Sequence, residues 1–164
     1  MPEPTEPTAV DLIVRHAHVI TMNDIGEVIP DGAIAIHEGV IVAVGEDAGI
    51  AGAYSAAKTI DAHGAPCHPG LIEGHTHVSY QTFRGVIPDH MPEDDVFDSI
   101  EQFFYNNVED EDEHLSAVHA TLEMVRNGTT CFLEAGTVLE PSALASAAER
   151  VGIRAVIGDS FIWD

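Results

Sequence analysis

The sequence predicts an α/β chain in which a strand-rich N-terminal part precedes alternating strands and helices. Two observations carry that prediction. Between residues 11 and 66, short apolar runs are punctuated by glycines and acidic turn residues, the pattern of strands joined by tight turns. After Pro69 the rhythm changes to apolar runs of strand length separated by segments of helical period, as expected for βα units around a parallel sheet. Residues 1–10, with their run of Pro and Glu, are expected to be a disordered tail, which leaves 11–66 and 67–164 as the two domains.

Residues 11–20 read as an edge strand carrying His16 and His18. A hairpin follows, with strands over 33–36 and 40–44 joined by Glu38 and Gly39, glycine supplying the backbone conformation a two-residue turn requires. Asp31-Gly32 and Gly45 mark its ends. Leu71 and Ile72 open a short strand that closes on His75 and His77, and a helix is expected over about 96–105. The clearest helix begins near Asp112. Leu115, Val118, Leu122 and Val125 recur at helical spacing. Acids in its first turn and Arg126 in its last complement the helix dipole, and Asn127-Gly128 stops it. Residues 129–134 form the next strand. Pro141 suits the first turn of a helix that runs through Leu144 and Ala148 to Val151 and stops at Gly152, and 153–158 form a third strand.

Composition narrows the function classes. The chain has 28 acidic residues against six basic ones, of which only Lys58 is lysine, for a net charge of −22. Such a balance opposes nucleic-acid binding, which rests on cationic contacts to phosphate. No apolar run is long enough to span a bilayer and no signal-peptide pattern opens the chain, so a cytoplasmic protein with no membrane partner is expected. The two cysteines, Cys67 and Cys131, do not form a metal-type pair. The run 109–113 is expected to be a solvated acidic face, and the chain-wide excess of acid suggests adaptation to a salt-rich cytosol.

His75 and His77 are the leading chemical feature. Residues i and i+2 of a strand point to the same side, so both imidazoles project together and can grip one divalent ion. Spacing alone proves little. Ten histidines in 164 residues give about 0.6 such pairs by chance, and His16 with His18 is a second pair without catalytic surroundings. Context separates them. Pro69-Gly70, then Leu71-Ile72, then His75-Thr76-His77 resembles the first barrel strand of the amidohydrolase superfamily, metal-dependent hydrolases and deaminases built on a (β/α)8 barrel. The strand-rich segment 31–45 and the stretch 59–64 resemble that family's small N-terminal β-sandwich. Phe83-Arg84-Gly85, and residues 123–130, are similar to its branch of chlorohydrolases and aminopurine or triazine deaminases.

The resemblance implies an incomplete metal-dependent hydrolase barrel of about three strands, preceded by the sandwich. It implies a divalent metal, zinc by expectation with iron or nickel as alternatives, held in part by His75 and His77. It also implies hydrolysis of a small-molecule substrate at a non-peptide carbon–nitrogen bond. The remaining ligands and the catalytic carboxylate are expected beyond residue 164. Gln81 and Arg84, in the loop after the histidines, and Glu134, ending the second strand, are candidate substrate contacts, each weighed against plain anchoring. Asp159, after the third strand, is a further candidate. An open three-stranded sheet exposes edges and apolar side chains, so a homo-oligomer or a complementing C-terminal chain is expected. The alternatives to an enzyme part are a non-catalytic assembly module and one half of a split hydrolase.

Overall fold

The computed structural model of the chain describes residues 6–86, 88, 90–92, 95, 98, 102–104 and 106–158. The helix expected over about 96–105 and the candidate Asp159 fall largely or wholly outside these residues. The chain divides into two compact units, Met1–Pro69 and Gly70–Asp164.

In the first unit, β1 (Thr8–Ile20), β2 (Val28–His37), β3 (Val40–Glu46), β4 (Tyr54–Asp61) and β5 (Pro66–Cys67) form one mixed sheet. Its order is β3-β2-β1-β4, with β5 also paired to β1. β1 begins at Thr8 and Val10 is buried, so ordered structure starts inside the expected tail. β1 is also not an edge strand. It pairs antiparallel with β2 and parallel with β4 and β5, because its thirteen residues offer both sides to neighbours. The hairpin turns as expected, with His37 opposite Val40 and positive φ at Glu38 and Gly39. β2 runs through Asp31-Gly32 without ending there.

One element breaks the all-strand expectation. The short helix α1 (Asp47–Ala53) follows β3, with Ile50 packed among Val10, Ile13, Ala33 and Ala35. The other sheet face buries Ala17, Val19, Ile29 and Ile34.

The second unit is a parallel three-stranded sheet, β6 (Leu71–Thr76), β7 (Thr129–Glu134) and β8 (Arg154–Ile157), in sequential order. Helix α2 (Asp110–Arg126) precedes β7, and α3 (Pro141–Val151) precedes β8. Glu109 and Asp112 cap α2 reciprocally, and Glu140 accepts a hydrogen bond from Ser142 N at the start of α3. Phe132 of β7 packs with Ala117 and Ala120 of α2 and Leu144 and Ala147 of α3. The Pro-Gly lead-in has a steric basis: a Cβ on Gly70 would lie 2.2 Å from Thr130 Cγ2, so a larger residue would force the Thr130 side chain to move from its place beside the start of β6.

Helix α2 corrects one expectation. Of its four periodic apolar residues, Leu115, Leu122 and Val125 are exposed, Leu115 at 52%, while Val118 is half-buried against the core. The buried face consists of Glu113, Ser116, Ala117, Ala120 and Thr121, small and hydrogen-bonded side chains that let the neighbouring elements approach closely. Glu113 is therefore not part of a solvated acidic face. Its carboxylate accepts from Leu139 N at 3.0 Å and Glu140 N at 2.8 Å, holding the entry to α3.

Candidate metal and hydrolase site

The end of β6 fixes the site. His75 is a strand residue, and His77 follows directly on Thr76, where the backbone turns into a short 3-10 helix, Val78–Phe83. The two Nε2 atoms converge to 3.3 Å, with the rings edge to face. Two nitrogens bound to one tetrahedral zinc at about 2.05 Å each lie about 3.3–3.4 Å apart. The observed separation matches that value, and the donor chemistry suits a divalent transition ion. The same distance also permits an imidazole N–H of one ring to reach the other ring when no ion is bound. Among the described residues, no third His, Cys, Asp or Glu joins the pair in one cluster.

The second ring nitrogen of His77 faces the protein. Nδ1 lies 3.1 Å from Thr137 Oγ1 and 3.6 Å from Glu134 Oε1. Glu134 is buried and well satisfied: Oε1 accepts from Thr137 N at 3.1 Å and Thr137 Oγ1 at 2.9 Å, and Oε2 accepts from Val78 N at 2.8 Å. It shares a face of β7 with buried Phe132, so its side chain enters the helix-covered side. The candidate substrate contact Glu134 thus ties the loop after β6 to the loop after β7. Thr137 was not among the sequence candidates. Ser116 reinforces the same loop, its Oγ lying 2.8 Å from the Val78 and Ser79 carbonyl oxygens and accepting from Thr82 N at 3.2 Å.

Gln81 and Arg84 come together on Glu123 of α2. Gln81 Nε2 donates to Oε2 at 2.9 Å, and Arg84 donates through Nη1 at 3.1 Å and Nη2 at 2.7 Å. The Arg84 hydrogen bonds hold the Glu123 carboxyl below its ordinary range, against the opposing effect of desolvation. These three residues, with His77 and Asn127, border a cleft of about 280 Å³. Gln81 and Arg84 anchor the loop to α2, and both stand on the cleft wall.

The other histidine pair behaves differently. β1 bulges between Val14 and Val19, His16 has φ of 50°, and its Nδ1 lies 3.2 Å from Asp31 Oδ1. The regular alternation that would aim both rings at one ion is broken. His114, on α2, has its Nδ1 3.1 Å from the Ala143 carbonyl oxygen and links two helices.

The profile of the Amidohydrolase family matches residues 67–162. A 5-methylthioadenosine/S-adenosylhomocysteine deaminase of Nitratidesulfovibrio vulgaris (strain DP4) is 36% identical over 157 residues, covering 94% of this chain and 34% of the relative. Among solved structures, a zinc-bound adenosine deaminase from Xanthomonas campestris superposes with a TM-score of 0.84 at 30% identity, over 92% of this chain and 34% of that one. Zinc-complexed atrazine chlorohydrolase from Arthrobacter aurescens TC1 superposes with a TM-score of 0.74 at 25% identity, over 90% and 35%. The chain spans about a third of the length of these relatives. No helix among its described residues is long and apolar enough to cross a membrane.

Proposed function

The chain belongs to the amidohydrolase family, and from that premise we propose that it is the N-terminal part of a zinc-dependent enzyme hydrolysing non-peptide carbon–nitrogen bonds. Amides, amidines and aminoheterocycles are the substrate class, with aminopurine nucleosides foremost given the deaminases it resembles. On this reading β6, β7 and β8 open a (β/α)8 barrel, and the β1–β5 sheet is one layer of the accompanying sandwich.

The carrying observation is the 3.3 Å convergence of the His75 and His77 Nε2 atoms at the C-terminal end of β6. Barrel active sites gather at that end of the strands. His75 and His77 would hold the ion. A divalent metal there would supply Lewis acidity, lowering the pKa of water and polarising the carbon–heteroatom bond under attack. The chain's own residues shape the surroundings. Glu134 and Ser116 hold the turn that carries His77, and Gln81 and Arg84 stand on the wall of the adjoining cleft. On this reading the general base and the further ligands would be supplied by barrel strands outside these residues.

Metal analysis and an ammonia-release assay test the proposal. The chain, alone and with the polypeptide encoded by the adjoining reading frame, is dialysed against limiting zinc and assayed with aminopurine nucleosides and aminotriazines. Retained zinc that is lost in His75→Ala and His77→Ala, with ammonia release, supports it. Wild-type protein that holds no more zinc than the variant carrying both His75→Ala and His77→Ala refutes the metal site.

A second reading, an assembly module or one half of a split hydrolase, draws on exposed apolar surface. Ile72 is 74% exposed on β6, and Val156 is exposed on β8. Pairing with a second copy or a complementing chain would cover these strands. Activity that appears only on mixing the two polypeptides selects the split enzyme.

A further inference from the structure

We infer that Thr137 is a positioning residue that sets the tautomer of His77, so that Nε2 presents a lone pair to the metal. The inference rests on the proposed metal site but is argued from the hydrogen bonds alone. A hydroxyl has one proton to give and two lone pairs to accept with. Glu134 Oε1, a buried carboxylate oxygen 2.9 Å from Thr137 Oγ1, can only accept, so it takes the hydroxyl proton. The remaining capacity of Oγ1 toward His77 Nδ1, 3.1 Å away, is that of an acceptor. The imidazole must then carry its proton on Nδ1, which leaves Nε2 unprotonated where it faces His75 Nε2.

The polarity of this chain is fixed at its far end. Glu134 cannot turn, because Thr137 N and Val78 N already hold its two oxygens in place. In water, the neutral histidine side chain favours the opposite tautomer, with the proton on Nε2, the form unable to bind a metal through that atom. The Glu134–Thr137 pair therefore removes a proton-relocation step from metal binding. His75 Nδ1 has no such partner among the described residues, which makes His77 the pre-set ligand of the two.

The test uses the metal-free chain labelled with 15N-histidine, with long-range 1H–15N correlation spectra recorded above the histidine titration. His77 signals are identified by their loss in His77→Asn. Wild-type His77 is expected to be protonated at Nδ1. Thr137→Val, similar in volume but without the hydroxyl, is expected to shift the ring toward the Nε2-protonated form, and Thr137→Ser to restore the wild-type pattern. Zinc affinity, measured by calorimetry with the metal alone, should fall about 10–100-fold in Thr137→Val and stay near wild type in Thr137→Ser. Wild-type His77 protonated at Nε2, or a folded Thr137→Val with an unchanged tautomer, overturns the inference. If Thr137→Val fails to fold by circular dichroism, the wild-type spectrum still decides. A chain with the expected tautomer that binds no zinc supports the role of Thr137 and instead overturns the metal site.

Discussion

Asp47 shows how one buried carboxylate makes stability depend on pH. Arg15 donates to both of its oxygens and His16 N donates to Oδ1 at 3.2 Å. The Arg15 hydrogen bonds, opposed by desolvation, bring the carboxyl from an ordinary 3.8 down to about 2. Because the folded-state pKa is depressed, the stabilisation is complete above the unfolded value and disappears as pH falls through the folded one. Asp47→Asn should therefore be less stable than wild type by a constant margin above about pH 5, a margin that closes toward about pH 2. Urea unfolding followed by circular dichroism across that range measures it, and a margin unchanged at the acid end contradicts the assignment. Legibility at this scale was uneven. His75 and His77 could be paired from sequence because strand parity holds to the end of β6 and the Pro69-Gly70 lead-in sets them apart from His16 and His18, whose equal spacing a bulge in β1 defeats. Glu134 was visible as a strand-end acid, yet its parity with Phe132 already placed it on the helix-covered side. Thr137 carried no signal, since it meets His77 across 60 positions through a loop with no fixed spacing.

Helix α2 illustrates what periodicity can and cannot deliver for an element. Its bounds follow from local chemistry: the Glu109–Asp112 capping box begins it, and Asn127-Gly128 end it. Its orientation does not follow, because of the four periodic apolar residues only Val118 packs on the core, while Leu115, Leu122 and Val125 lie outward and small and polar residues fill the inner face. A periodic apolar face marks a surface to be covered, and the elements that cover it need not lie within these residues. The polar inner face performs the structural work. Glu113 accepts two backbone N–H groups at the entry to α3, and Ser116 fastens the turn after His77. Glu113→Ala should strand both donors and destabilise the second unit by about 1–3 kcal/mol, while Glu111→Ala, an exposed neighbour in the same acidic run, should change little. Paired urea titrations compare them, and equal effects would mean that Glu113 acts only as one more surface charge.

At the scale of the whole molecule, charge outweighs any single contact. Six cations cannot neutralise 28 acids, and two of the arginines are committed to Asp47 and Glu123. The rest of the acidic surface repels itself, which opposes the compact state. Screening should relieve that repulsion: the Debye length falls from about 10 Å at 0.1 M salt to about 3 Å at 1 M. We therefore expect the thermal midpoint to rise steeply with KCl up to about 1 M, where screening is nearly spent, and more gently above it through strengthened apolar burial. A variant with several exposed acids outside the site exchanged for their amides should start higher in dilute buffer and gain less from salt. That pairing separates charge repulsion from a general salting-out effect, which both proteins would share. A melting temperature indifferent to KCl from dilute to multimolar would remove the case for adaptation to a salt-rich interior, leaving the acidic composition without a stability role.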